Sequence, residues 1–378
     1  MDTVKYIGGG KSPLPSQSKE RYGALDGLRT IACIGIVLMH IKSNILVSPT
    51  ENWFTMNVIS FTGNFVLLFM MVSAFSVSCG YYKKISNGDI TTNEFYAKRY
   101  MRVLPFFALL VVLDILQTFA TEGFSFTEMI KAELYESYAD ITLVFGLMPE
   151  ADIKVIGVGW FLGIIFLFYM LYPFFTFLMH TKRRAWIVFA LCLGLYYSIV
   201  EYFIPIKGVT ESNTNILLCA PYFIVGGLVY LYKQDLTLLA EKKILGVRLP
   251  LWMMAVVVAY TVYFFALPTS RIRLFSNLTL YALWLLYAVL DSCSGKATFL
   301  NNKITAVFSG ISMEIYLCHM MFFRVVDKIH LEKYISNYDL YYYVMCLFVL
   351  AGAVCFSMLW KRLEKKVLTM ASSISFSR

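Results

Sequence analysis

Ten times along the chain, polar residues give way to about twenty apolar ones, and charge, glycine and proline return between these runs. The runs cover roughly residues 27–47, 56–79, 103–121, 159–179, 185–204, 214–232, 249–267, 274–292, 304–326 and 340–360. A helix rises 1.5 Å per residue, so about twenty apolar residues cross the ~30 Å hydrocarbon core of a bilayer. Over that length only a helix satisfies its own backbone hydrogen bonds without water. The pattern predicts an all-α, polytopic membrane protein with about ten transmembrane helices. The longest connection, 122–158, is acidic at both ends and apolar from Ile141 to Met148, which predicts a short helix lying at the outer interface or dipping inward.

Composition excludes a water-soluble domain. Hydrophobic residues make up 59% of the chain and charged residues 15%, against about 25% charged in a soluble protein. The net charge of +9 then reads as a topology signal and not as a nucleic-acid surface. With the N-terminus inside, nine of the 33 basic residues fall on the outer side or in the outer halves of spans: Lys42, Lys131, Lys154, Lys207, Arg271, Arg273, Arg324, Lys328 and Lys333. The other 24 are cytoplasmic, which predicts an even number of spans and both termini inside the cell. Residues 1–20, with Gly8-Gly9-Gly10, Pro13 and Pro15, lack the basic start and apolar core of a signal peptide and are expected to be a flexible cytoplasmic tail. The membrane domain is expected at 21–362, with a cytoplasmic tail at 363–378. The eight cysteines form no CxxC pair, so neither a disulfide framework nor a zinc site is read.

Ionisable groups inside spans are costly, and each is a candidate for function. Arg29 and His40 are eleven residues apart, about 1100° of helical rotation, or 20° past three turns. They therefore share a face of the first helix, roughly 16 Å apart along its axis. Arg29 also reads as a cytoplasmic anchor, and His40 as an interior histidine satisfied by a neighbouring carbonyl. Arg99 and Arg102, three apart at the mouth of the third span, share a face and suit bidentate binding of phosphate. Ser312, Tyr316 and His319 line one face of the ninth span, either as the border of an acceptor pocket or as an interhelical hydrogen-bonding seam. Glu314 projects from another side, and Asp114 is a buried carboxylate whose partner the sequence does not name.

Several of these phrases resemble the acyltransferase 3 family of bacterial membrane O-acyltransferases. Leu25-Asp26-Gly27-Leu28-Arg29, followed after ten residues by His40, is similar to the family's Arg-x10-His motif. Phe95-Tyr96-Ala97-Lys98-Arg99-Tyr100-Met101-Arg102, closing on Pro105, is similar to its FYxRRxxRIxP phrase. The run from Ser312 through Tyr316 to His319 is similar to its SYxxYLxH helix, and Trp160-Phe161-Leu162 with Tyr169 and Pro173 to its fourth helix. The resemblance covers about residues 21 to 362. Where many members carry a Glu pair after the Trp, this chain has Ile165 and Phe166, which removes a carboxylate role there.

The resemblance implies transfer of an acyl group, most often acetyl from acetyl-CoA, to a hydroxyl of a cell-surface polysaccharide or its lipid-linked sugar precursor at the cell membrane. On that basis His40 and Arg29 are catalytic, Arg99 and Arg102 bind the phosphates of the acyl-CoA, and Tyr316, His319, Ser312 and Trp160 border the acceptor. No metal is implied. A transporter or flippase of lipid-linked sugars is the alternative, since it would use the same polar helix faces, although the paired broken helices of such proteins are not evident in the sequence.

The charge pattern yields a direct test of topology. Single cysteines at positions 182 and 208 should label from opposite sides of the membrane, 182 from the cytoplasm and 208 from outside. Labelling of both from one side would break the ten-span arrangement.

Overall fold

A computed structural model describes residues 21–122, 142–143, 157–203, 216–266, 273–294 and 297–375 of the chain. The first helix, α1, spans Ala24–Asn44. The second, α2, runs Phe54–Ser86 as one rod interrupted by π-turns at Phe54–Ile59 and Ser78–Tyr82 and a 3₁₀ stretch at Ser60–Asn64. Next comes α3, Thr92–Glu122, with Pro105 inside it. Then α4 (Trp160–Met170) and α5 (Tyr172–Leu178) meet at 56°. The helix α6 spans Lys182–Ser198. A second bent pair, α7 (Ile216–Leu231) and α8 (Lys233–Ala240), meets at 60°. A hairpin of two-residue strands, β1 (Lys243–Ile244) and β2 (Val247–Arg248), leads into α9 (Leu249–Ala266). After α10 (Arg273–Cys293) come α11 (Lys303–Gly310) and α12 (Ser312–Asp327), which meet at 65°, and then α13 (Tyr338–Ser375).

Among the described residues seven helices are long and apolar enough to cross a membrane, and ten spans result when each bent pair is one span. The protein is an all-α, multi-pass membrane protein, as the apolar runs predict. Two of the three bends have local causes. Pro173 stands in the first turn of α5; lacking an N–H, it starts a helix and cannot continue one. Gly310, a poor helix former, directly precedes the break between α11 and α12. Helix α13 continues to Ser375, through most of the tail expected from 363. The expected interfacial helix at Ile141–Met148 lies outside the described residues except for 142–143, and residues 1–20 lie outside them too.

Among the seven unbroken spans the most enclosed are α1 and α2. Of the apolar window of α1, 67% is buried, against 11% for the span of α6 and for α9, which face outward. Helices α2, α10, α11, α12 and α13 all touch α1. Polar bonds pin it in hydrocarbon, where unpaired groups are costly. The Thr62 hydroxyl donates to the Gly35 carbonyl at 2.6 Å, and the Tyr342 hydroxyl to the Leu38 carbonyl at 2.9 Å. From α1 itself, the Cys33 thiol donates to the Ser312 carbonyl at 3.4 Å. Glu314, one of the carboxylates the sequence leaves without a role, is buried against Lys361 at 2.6 Å and ties α12 to α13.

Between α2 and α7 the contact is backbone-close. A Cβ at Gly226 would overlap the Met71 carbonyl and stand 2.8 Å from the Ala74 Cβ. Small residues permit such approach where lipid offers no hydrophobic drive. Gly194 has open space around it. Gly226→Leu should therefore cost about 1–3 kcal/mol by overpacking and lower the melting temperature in detergent, while Gly194→Leu leaves it unchanged. Equal melting of the two variants would show that the α2–α7 contact is loose.

Candidate active site

The polar groups of α1 lie near its two ends. At the first end, α3 brings Arg99 and Arg102 beside α1. The Arg99 guanidinium lies 4.6 Å over the Tyr81 ring and donates to the Tyr81 hydroxyl at 2.9 Å. It is also 5.7 Å from the ring of Tyr169, whose hydroxyl is held 2.8 Å from Ser73. The Arg99 Nε is buried with no hydrogen-bond partner among the described residues. Arg29 donates to Ser76 at 2.5 Å and to Asp26 at 3.4 Å, and it lies within electrostatic reach of Arg102 and Tyr169. Asp26 also accepts from Ser309 at 2.7 Å and from Arg21 at 2.9 Å. Three guanidiniums from two helices thus converge, and Asp26, which pairs with Arg29, is already shared with Arg21 and Ser309. The surplus of fixed donors, one of them orphaned and buried, suits an anion with several oxygens.

At the other end His40 is half-buried, one turn before Asn44 closes α1. Its imidazole lies 5.3 Å, centroid to centroid, from that of His319 on α12. His319 is fully buried, with its Nδ1 2.7 Å from the Tyr316 carbonyl. A carbonyl only accepts, so Nδ1 carries the proton and Nε2 is left as a lone pair. That Nε2 is buried and has no partner among the described residues.

A cavity of about 310 Å³ opens beside His40. Its walls include Asn44 from α1, Leu110 and Asp114 from α3, Met320 and Arg324 from α12, and Val158 just before α4. Asp114 is ion-paired with Arg324 across the α3–α12 contact. Along α3, Asp114 lies twelve residues past Arg102, roughly 18 Å. Along α1, His40 lies roughly 16 Å past Arg29. Both helices pack on α12, with the arginines near one another at one level and His40 and Asp114 in one cavity at the other.

The sequence-predicted residues therefore separate into two groups and a frame. Arg29, Arg99 and Arg102 come together, and His40 meets His319. Ser312, Tyr316, His319 and Trp160, expected to border an acceptor, do not line this cavity; they stand behind its wall. Ser312 sits at the α11–α12 break, its hydroxyl donating to the Ser309 carbonyl at 3.0 Å. The Tyr316 hydroxyl donates to the Val158 carbonyl at 2.5 Å, and its ring meets Phe161 edge-on at 5.9 Å. Trp160 opens α4, 6.1 Å from Phe161. The partner of Asp114 that the sequence leaves unnamed is Arg324. The available signal was the presence of two opposite charges inside apolar runs.

Fold and site define the class as a multi-pass membrane protein with an arginine cluster and a histidine-lined cavity at opposite ends of one helix. Residues 22–360 match the acyltransferase 3 family model, described as an acyltransferase domain. The chain belongs to that family and is an acyltransferase embedded in a membrane. No curated protein and no solved structure matches it.

Proposed function

We propose that the protein moves an acyl group, acetyl in the first instance, from acyl-CoA to a hydroxyl of a cell-surface polysaccharide or its lipid-linked sugar precursor, in the cell membrane. The observation that carries this reading is the separation along α1 of the arginine cluster from His40 and its cavity. An acyl-CoA has the same polarity, with phosphates at one end and a thioester at the tip of an extended arm. Arg99, Arg102 and Arg29 would hold the phosphates at the end that the basic loops keep in the cytoplasm, where acyl-CoA is made. The arm would reach roughly 16 Å along α1 to a thioester beside His40.

There the acceptor hydroxyl attacks the thioester carbonyl while neutral His40 takes its proton as general base. The new ester C–O bond forms and the C–S bond breaks. The proton then passes from His40 to the departing sulfur, releasing CoA. Mass spectrometry of surface glycans from cells with and without the protein tests the whole reading. Loss of one O-acyl substituent on deletion is expected, and an unchanged glycan profile with altered glycan export would favour a transporter.

Two variants separate the halves of the site. His40→Gln keeps a polar side chain that cannot take a proton near pH 7, so acyl transfer should fall roughly 10²–10⁴-fold with acetyl-CoA binding retained. Near-normal transfer would make the imidazole structural. Arg102→Ala, by removing one charge-assisted contact, should weaken acetyl-CoA binding about ten- to a hundredfold by calorimetry. Arg102→Lys should recover only part of this because it lacks the fork. Unchanged affinity in folded Arg102→Ala protein would assign the arginine to topology alone.

A further inference from the structure

The charge pair in the cavity wall is not needed for the proton transfer described above. Resting on that functional reading, we propose that Asp114 and Arg324 form the acceptor-binding site and select one ring of a neutral sugar by its hydroxyls.

The pair is placed expensively. The Asp114 side chain is 8% exposed and that of Arg324 42%, and a partly buried ion pair holds two helices together no better than apolar packing would. What it adds is chemistry at the surface of the cavity. The guanidinium has five N–H donors in a fixed fork, and the ionised carboxylate has about four acceptor positions; their mutual bond leaves most of these free. Sugar hydroxyls both donate and accept, so adjacent hydroxyls match a wall that offers both. Because the two charges cancel, the wall holds no unpaired cation among the described residues for a uronate or phosphate. Met320, Met321, Leu110 and Leu317 supply apolar surface for the C–H face of a ring. At about 310 Å³ the cavity is at the lower limit of small-molecule sites, which run from ~300 to 1,000 Å³, so it admits a single ring at a time. His40 shares the cavity, which puts a bound hydroxyl beside the base.

The test uses full-length protein in detergent with acetyl-CoA, methyl β-glucoside or methyl β-glucuronide as acceptor, and release of the CoA thiol as readout. The neutral glycoside should be acetylated at least tenfold more efficiently than the uronide. Asp114→Asn should raise KM for the glucoside roughly ten- to thirtyfold, with kcat within about threefold and acetyl-CoA affinity unchanged. The double exchange Asp114→Arg with Arg324→Asp restores the ion pair with donor and acceptor reversed. Here KM should stay raised even though the melting temperature recovers. Preference for the uronide, an unchanged KM in Asp114→Asn, or recovery of KM in the double exchange would overturn the proposal. Acetyl-CoA binding without acetylation of either glycoside would overturn this acceptor assignment and leave the donor half of the function standing. Failure to bind acetyl-CoA would bring down the functional reading itself.

Discussion

A guanidinium and an imidazole project from one side of a single membrane helix, and neither can be left in hydrocarbon. That constraint organises the molecule. Helix α1 is surrounded by α2, α10, α11, α12 and α13, and its polar side is turned toward protein throughout: Arg29 toward Ser76, His40 toward His319. Its other side, with Ile31, Ile34 and Leu38, borders a separate apolar space of about 460 Å³ closed by Phe54, Phe265 and Trp284. The helix thus turns Arg29 and His40 to one side and an apolar face to the other.

Opposite charges inside the bundle are handled in the same way at three levels. Asp26 takes Arg29 within α1, Glu314 takes Lys361 between α12 and α13, and Asp114 takes Arg324 between α3 and α12. The last two join different helices, and removing the basic partner of either would leave a buried carboxylate unpaired, which is destabilising. Only the Asp114–Arg324 pair lines the cavity beside His40, which is why it alone carries a proposed role beyond holding helices together.

The spans were legible because hydropathy follows the solvent. Twenty apolar residues read the same whether the helix is straight or bent, so the breaks at Leu171, Tyr232 and Ile311 did not register, although Pro173 and Gly310 stood beside two of them. The arginine cluster was legible in part. Arg99 and Arg102 are neighbours on one helix face, whereas Arg29 stands on α1 and joins them only in the folded protein. The ninth span shows where periodicity stops. Ser312, Tyr316 and His319 share a face, but a face does not say what it meets. It meets α1 and the start of α4, so these residues frame the cavity from behind. Arg324 and Asp114 are 210 positions apart, and no local pattern links residues that distant.

The cavity wall is not built only from transmembrane helices. Gly157 and Val158 come from the segment leading into α4, and Val158 is held by its carbonyl to the Tyr316 hydroxyl. Connecting segments tolerate insertion and substitution far better than packed helices do. Descendants of this protein can therefore reshape one side of the cavity by drift in that segment, while the histidines and arginines stay fixed on the helices. A change of acceptor then requires no change in the catalytic groups.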